Sequence, residues 1–191
     1  MVSRAGLTVR FAESDARSMG RDTTGVRGMD VGKDGKVIAM DVARDDMDLL
    51  VVTENGYGKR TQISQYRKTN RGAKGVKTIK LTEKKGGLAG ALVVREHQEL
   101  VFISVGGMVQ RTAAGGISQQ GRSATGVRVM NLKEDDVVSA IALVVDDEAV
   151  EPGELPPSGG APANGVTADA QVDDPAGADD EVAADPPASS E

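Results

Sequence analysis

An internal repeat of about 50 residues constrains the fold of this chain more than any other feature. Arg10, Arg60 and Arg111 are separated by 50 and 51 residues. A second arginine follows each of them by eleven residues, and a triplet of glycine, valine and a basic residue begins four residues after that. Such self-similar units are typical of a repeat architecture. The other repeated positions are the arginines Arg21, Arg71 and Arg122, the triplets Gly25-Val26-Arg27, Gly75-Val76-Lys77 and Gly126-Val127-Arg128, and the turn glycines Gly6, Gly56 and Gly107.

Each repeat carries short apolar runs that are separated by turn signals. Asp34-Gly35 and Asn55-Gly56 favour hairpin turns, because these residue types tolerate a positive φ. No window shows the apolar period of a helix. The predicted strands cover residues 7–11, 25–31, 36–43, 49–54, 57–63, 76–81, 88–95, 100–105, 108–113, 127–132 and 137–145.

Four antiparallel strands in about 50 residues match the size of a propeller blade. The repeats contribute one, four, four and two predicted strands, which is fewer than three blades. Because so few blades would leave open sheet edges, we expect residues 1–145 to be all-β and part of a larger propeller. An open, curved array of sheets that stands alone is the alternative.

The net charge of −6 averages two unlike segments. All 23 Lys and Arg residues lie in 1–145 with 16 of the 29 Asp and Glu residues, so this body carries +7. Residues 146–191 carry −13 and few large apolar side chains, so they cannot bury enough surface to offset their conformational entropy. We expect a disordered acidic tail there. The asymmetry suggests a body that faces a polyanion, although both charges also serve solubility.

The loop between the two repeated arginines of the middle repeat is basic throughout. No acidic residue interrupts the chain between Glu54 and Glu83. Arg offers a planar fork to phosphate oxygens and Lys a compact point charge, while Gly72 and Gly75 allow close backbone approach. The candidate DNA-binding residues are Arg10, Arg21, Lys59, Arg60, Arg67, Lys68, Arg71, Gly72, Lys74, Gly75, Lys77, Arg111, Arg122 and Arg128.

The repeated arginines predict how DNA would be held. If the repeats stack, either the first or the second arginine of each unit forms a row of cations along one rim. A curved row suits contact with phosphates and bending of a duplex, and it does not suit the reading of bases. A solvated loop that is kept basic for solubility is the alternative.

The sequence offers little for catalysis or metal binding. His97 lies in a polar segment without a nucleophile arrangement. Tyr57 is assigned to strand packing, and Tyr66 is a candidate for a stacking or hydroxyl contact at the basic loop. The acidic residues at 45–48 suit a polar hairpin turn better than a cation site. Cysteine is absent, and no phosphate-binding loop or membrane-spanning stretch occurs. We therefore expect no catalytic residue, no metal, no cofactor and no membrane.

Residues 69–75 resemble the seven-residue box Gln-Arg-Arg-Gly-Gly-Lys-Gly of the C-terminal domain of the DNA gyrase A subunit. Here the stretch reads Thr-Asn-Arg-Gly-Ala-Lys-Gly, so four of seven positions agree and Thr69, Asn70 and Ala73 depart. Residues 58–61 also look like the family, as do the Gly-Val pairs. The resemblance covers about residues 5–145, and the departures make this a degenerate or secondary box.

The resemblance implies a β-pinwheel, which is a six-bladed propeller variant whose neighbouring blades exchange strands. It also implies that DNA wraps around the basic rim. In that family the box is needed for the chirality of wrapping, a role that Arg71, Gly72, Lys74 and Gly75 would inherit. The chain would then be a non-catalytic DNA-wrapping module that supports ATP-dependent negative supercoiling, with the catalytic tyrosine and the ATPase elsewhere.

The partners implied are double-stranded DNA, the rest of the gyrase A subunit and the gyrase B subunit, in a bacterial-type cytoplasm at the nucleoid. Two other functions stay open: the C-terminal domain of the topoisomerase IV A subunit, and a propeller that serves as a protein-interaction platform. We also hypothesise that the acidic tail competes with DNA for the basic body.

Overall fold

The structure, a computed structural model, describes residues 1–144. The acidic tail predicted at 146–191 lies outside the described residues. The described part contains strands β1 Val2–Ser3, β2 Leu7–Thr8, β3 Val37–Ala39, β4 Asp48–Thr53, β5 Tyr57–Gln62, β6 Val76–Lys77, β7 Leu88–Val94, β8 Glu99–Ser104, β9 Val109–Ala113, β10 Val127–Arg128 and β11 Val138–Val144.

The strands form three antiparallel sheets, and each sheet is built around one hairpin. The strand orders are β3-β1-β2-β6, β10-β5-β4-β7 and β11-β8-β9. The hairpins β1-β2, β4-β5 and β8-β9 occupy the same frame of the repeat. The predicted all-β class is therefore confirmed.

The first, middle and third repeats are from here on the units built on the hairpins β1-β2, β4-β5 and β8-β9. The first two sheets each take their fourth strand from the following repeat. β6 joins the first sheet beside β2, and β10 joins the second sheet beside β5. Backbone bonds extend both pairings, since Thr78 N–H donates to the Gly6 carbonyl at 2.8 Å and Val129 N–H to the Gly56 carbonyl at 2.9 Å. Neighbouring units are thus joined by exchanged strands, as in the pinwheel that the resemblance implied. We call each such contact an exchange joint.

Several predicted strands differ from those observed. Residues 25–31 form no strand, and the strands predicted at 76–81 and 127–132 shrink to the two-residue β6 and β10. A strand exists only where a neighbouring strand pairs with it, and the short apolar runs that marked these segments do not report pairing. The first hairpin strand, β1, was missed because it is only two residues long.

The core lies between the sheets, and β4 is buried on both faces. Leu49 and Val51 pack in one apolar cluster with Val2 of the first sheet. Leu50 and Val52 pack in a second cluster with Phe102 of the third sheet. Alternate side chains of a strand point to opposite faces, so the unbroken apolar run in β4 reflects its position as the middle layer.

Short 3₁₀ turns follow the second strand of each hairpin and also precede β7. Within residues 1–144, none of the helices is long and apolar enough to cross a bilayer. The turns cover Glu13–Asp15, Ile63–Gln65, Glu83–Lys85 and Ala114–Gly116.

Candidate nucleic-acid interface

The loops of the second and third repeats dock in the same way on the preceding repeat. Thr69 N–H donates to the Arg10 carbonyl at 2.8 Å, and Gln120 N–H donates to the Arg60 carbonyl at 2.8 Å. Arg71 and Arg122 each follow their anchor by two residues. The repeat geometry therefore places these arginines at corresponding points of successive units.

The loop of the middle repeat, residues 67–77, presents its cations to solvent. We call it the middle loop. All five of its Lys and Arg side chains belong to exposed residues, and no carboxylate of the described part is paired with any of them. A run of exposed cations without local neutralisation is suited to phosphate contact. These cations are Arg67, Lys68, Arg71, Lys74 and Lys77.

Arg71 joins the middle loop to the loop of the first repeat. Its Nε donates to the Asp15 carbonyl at 2.9 Å, and its Nη1 donates to the Arg27 carbonyl at 3.2 Å. Gly72 N–H adds a bond of 2.7 Å to the Gly28 carbonyl. The first-repeat loop also carries the exposed Arg21. Basic side chains of two repeats are thus held on adjoining loops.

Gly75 is required by the exchange joint. Its φ is +89°, and a Cβ at this position would lie 2.6 Å from the Thr8 carbonyl oxygen. Gly126 repeats the arrangement against the Gly58 carbonyl oxygen, at 2.8 Å. We predicted that Gly75 allows close approach to phosphate; the close approach that the structure contains is to the neighbouring sheet.

Arg10 points into the protein and not toward a DNA-facing rim. Its Nη1 donates to the carbonyls of Ile63 and Tyr66, at 3.2 Å each, and its Nη2 pairs with Asp45 at 2.7 Å. The two carbonyls belong to the 3₁₀ turn of the next repeat and the residue after it. Arg10 therefore clamps one repeat to the next.

Arg60 makes the same kind of clamp one repeat later, more deeply buried. Its Nε donates to the Ile117 carbonyl at 2.9 Å, and its Nη2 to the Gly115 carbonyl at 3.3 Å. Its Nη1 pairs with Asp48 at 2.9 Å, and both side chains are about nine-tenths buried or more. The row of first arginines that we predicted as a DNA track is thus internal at Arg10 and Arg60.

Lys59 is also turned inward. The residue is fully buried, and its Nζ donates to the carbonyls of Gly121 and Arg122 in the loop of the third repeat. Burial, followed by the charge of Arg122, lowers the pKa of Lys59 to about 8. Lys59, Arg10 and Arg60 are therefore revised from DNA contacts to internal partners.

Arg111 and Arg122, the third-repeat members of the two rows, differ in exposure. Arg111 is exposed and paired with Glu99 across its own hairpin. Arg122 is partly buried beside Lys59. DNA contact at either residue stays a prediction.

Arg128 belongs to an exposed cluster around Tyr57 that fastens an exchanged strand. Its Nη2 donates to the Tyr57 hydroxyl at 3.0 Å, and its guanidinium carbon lies 5.3 Å from the ring centroid. Lys85 Nζ lies 4.6 Å from the same centroid. The bond from Arg128, with its charge and those of Lys84 and Lys85, lowers the pKa of Tyr57. The cluster was not predicted, because its members are far apart in sequence.

Tyr66 and the acidic run at 45–48 make contacts within the chain. Tyr66 is 2% exposed, so its ring cannot stack on a nucleic-acid base, and burial raises its pKa. Asp45 and Asp48 bind Arg10 and Arg60, and Asp46 lies 3.5 Å from Arg95. The acidic run therefore balances arginines, in addition to forming a polar turn.

Further exposed cations lie beside the predicted site. Arg27 occupies the same triplet position as Lys77 and Arg128, and the repeat itself could have identified it. Arg17, Lys80 and Lys84 are exposed but do not recur in every repeat. Of these three, only Lys80 lies in the stretch without an acidic residue between Glu54 and Glu83.

Comparison with known proteins gives a consistent result. The family model of the DNA gyrase C-terminal domain, a β-propeller, matches residues 1–44, 48–95 and 98–144. The gyrase A subunit of Mycolicibacterium smegmatis is 46% identical over 154 residues, which is 79% of this chain and 18% of that subunit. That of Staphylococcus aureus is 42% identical over 154 residues, 80% of this chain and 17% of the relative. The chain thus spans less than a fifth of these relatives.

Solved structures match the three-sheet arrangement. A DNA gyrase A C-terminal domain superimposes with a TM-score of 0.70 at 32% identity, over 75% of this chain and 49% of that one. A topoisomerase IV C-terminal domain gives a TM-score of 0.70 at 21% identity, over 75% of this chain and 45% of that one, and shows the fold alone. On the family match and the gyrase relatives together, the chain belongs to the DNA gyrase C-terminal domain family of β-propellers.

Proposed function

We propose that this chain binds and wraps double-stranded DNA as a non-catalytic module of DNA gyrase. The observation that carries the proposal is the middle loop, whose five cations are exposed and lie in a stretch without an acidic residue from 55 to 82. Membership of the gyrase C-terminal domain family supports it independently. The sequence identities of 42–46% to gyrase A subunits favour gyrase over topoisomerase IV.

The proposed contact set is smaller than the one predicted from sequence. Arg67, Lys68, Arg71, Lys74 and Lys77 form its centre, and Arg21 adjoins them through the contacts of Arg71 with the first-repeat loop. Such cations neutralise phosphates and carry little base specificity. The β-propeller family to which the chain belongs sets its sheets around a central axis, so DNA that follows equivalent loops from one repeat to the next would curve.

The chain would serve within a larger assembly. We propose that DNA cleavage and ATP hydrolysis lie in other parts of gyrase, and that the remainder of the A subunit and the B subunit are its partners. We further propose a folded body at 1–145, a disordered acidic tail at 146–191, and a place in the bacterial cytoplasm with the nucleoid. These statements rest on the relatives and on composition.

Wrapping is tested by topology. Relaxed circular DNA is incubated with increasing amounts of the chain, and a nicking-closing enzyme then relaxes whatever writhe the protein does not constrain. We expect the topoisomer distribution to shift in proportion to bound protein. An unchanged distribution at saturating protein would refute wrapping, and salt-insensitive binding to a protein with negligible DNA affinity would favour an interaction platform.

A further inference from the structure

The loop of the third repeat, residues 118–128, is held on the middle repeat by a buried lysine. Gln120 N–H donates to the Arg60 carbonyl of β5 at 2.8 Å. Lys59 Nζ then donates to the carbonyls of the next two loop residues, Gly121 and, at 2.9 Å, Arg122. The backbone of this third-repeat loop is therefore fixed against β5 as far as Arg122.

Lys59 differs from the residues that share its place in the repeat. Val9 and Gln110 occupy this place in the first and third repeats. Val9 has no polar side-chain group, and Gln110 Nε2 donates to the Val129 carbonyl at 2.8 Å, in the segment that follows β10. Because an apolar or amide side chain fills the same place elsewhere, packing of the sheet does not require a buried charge at Lys59.

The guanidinium of Arg122 has no acceptor within residues 1–144, although the residue is partly buried. No hydrogen bond or ion pair of the described part involves this side chain. Arg71 has the same repeat frame and donates to the carbonyls of Asp15 and Arg27, both in the repeat that precedes it. The repeat that precedes Arg122 is described as well and supplies no such acceptor, so the five donors of Arg122 are left to an external partner.

The surroundings of Arg122 favour an anion as that partner. The middle loop and the third-repeat loop lie in the stretches 55–82 and 100–133, and neither stretch contains an acidic residue. Burial, followed by the charge of Arg122, lowers the pKa of Lys59, so the two cations lie within electrostatic reach of each other. Two neighbouring cations without a carboxylate repel each other, and a phosphate group would relieve this repulsion while accepting two hydrogen bonds from the guanidinium.

We propose that Arg122 binds a phosphate of the DNA backbone and that Lys59 is its positioning residue. Lys59 fixes the main chain of Arg122, and its own charge adds to the attraction for phosphate without touching DNA, because the residue is fully buried. The inference rests on the proposed DNA binding and extends the contact set from the middle loop to the third-repeat loop. A phosphate contact of this kind positions the duplex and reads no base.

The affinity of the full chain for a labelled double-stranded oligonucleotide, measured by fluorescence anisotropy, tests the assignment. Arg122→Ala should weaken binding about fivefold at about 0.15 M salt and reduce the salt slope by about one, because one neutralised phosphate is lost. Lys59→Gln keeps a hydrogen-bond donor and removes the charge, so it should weaken binding by a smaller factor. Gln110→Ala is the matched control, because Gln110 shares the repeat frame of Lys59 and bonds to Val129 instead; its DNA affinity should equal that of the wild type.

A double variant separates positioning from a general effect on the fold. If Lys59 acts through Arg122, Lys59→Gln should have little effect on DNA affinity once Arg122 is replaced by alanine. An equal loss in both backgrounds would overturn the positioning role. Unchanged affinity of Arg122→Ala, together with weakened binding by Arg71 and Lys74 variants, would overturn this inference and leave the proposed function standing. A wild type that fails to bind DNA would instead overturn the proposed function.

The pH profile of DNA binding gives a reading that does not require a folded Lys59 variant. Because the pKa of Lys59 is about 8, a change from about pH 7 to about pH 9 removes its charge. Arg122 is the charged group that faces Lys59 from the third-repeat loop, whereas β4 places Val51 opposite it and the Arg128 side chain of β10 bonds to Tyr57. The DNA affinity of the wild type should fall over this range by a larger factor than that of Arg122→Ala. Equal falls in the two proteins would contradict the role assigned to Lys59.

Discussion

The repeated arginines have two different environments. Arg10 and Arg60 are clamps between repeats, whereas Arg71 keeps its side chain exposed while bonding to two backbone carbonyls. A guanidinium has five donors in a planar fork, which explains why it can bind several carbonyls of a 3₁₀ turn at once. The same residue type therefore stabilises the array at one position and remains available to phosphate at another.

Arg60→Ala should destabilise the fold more than it weakens DNA binding. The substitution leaves Asp48 buried without its cation, a change that typically costs about 3–5 kcal/mol. The free energy of unfolding is measured by urea titration, and DNA affinity is measured on the fraction that stays folded. Arg67→Ala is the control, because removal of an exposed side chain should change stability by no more than about 0.5 kcal/mol. A stable Arg60→Ala protein with greatly weakened DNA binding would contradict the clamp.

Lys59 predicts a pH dependence with a defined sign. Its pKa is about 8 in the folded chain against an ordinary value of 10.5, so the unfolded chain holds the proton more strongly. The contribution of Lys59 to stability therefore rises as the pH increases from about 8 to 10.5, and the penalty for burying the charge is fully present below pH 8. Unfolding of the wild type and of Lys59→Met, compared across this range, should show the difference moving in favour of the wild type. A constant difference would contradict the lowered pKa.

Strand exchange requires glycine at certain single backbone positions. Gly75 combines a positive φ with close contact to the Thr8 carbonyl, whereas Gly32 has a φ of +76° and a Cβ added there would meet no atom within 4 Å. The pair separates the cost of a left-handed conformation from the cost of a clash. The first cost is about 1–2 kcal/mol for any residue other than glycine.

Gly75→Ala should therefore lower the free energy of unfolding by more than Gly32→Ala does. We expect Gly32→Ala to cost about 1–2 kcal/mol and Gly75→Ala to cost more, because the methyl group must displace the edge of β2. Faster amide hydrogen exchange at Thr78, whose N–H bonds across the joint, should accompany only the Gly75 change. Equal effects of the two substitutions would show that the joint tolerates a side chain.

At the scale of the molecule, the charge distribution predicts a strong salt dependence. If about five phosphates are neutralised, the logarithm of the DNA association constant should fall with the logarithm of salt concentration at a slope of roughly −4 to −5. Replacing Arg71 and Lys74 with alanine should reduce the slope by about two and weaken binding to all sequences alike. The exposed lysines Lys33 and Lys36 lie outside the middle loop, so their double alanine variant is the control. A slope that does not change in the first variant would exclude these side chains as phosphate contacts.

The acidic tail supplies a second prediction at this scale. Residues 146–191 carry −13 beside a body of +7, so a tethered polyanion would compete with DNA for the same cations. Deletion of 146–191 should tighten DNA binding at low salt and have less effect at high salt, where screening is strong. Fluorescence anisotropy across a salt series measures the DNA affinity of both proteins. Equal affinities of the full chain and the shortened chain at low salt would mean that the tail does not compete with DNA and serves solubility alone.

The amino-acid sequence by itself determined the repeat, the all-β class, the hairpins β4-β5 and β8-β9, and the basic loop. These follow from local chemistry: turn residues such as Asn55-Gly56, short apolar runs, and a stretch with no acidic residue. Only the tertiary structure decided which repeat receives β6 and β10, and which arginines face inward. Sequence spacing places Arg60 and Arg71 in two rows with the same spacing, but the burial of each side chain depends on what packs against it. The carbonyls that bind Arg60 come from residues more than 50 positions away.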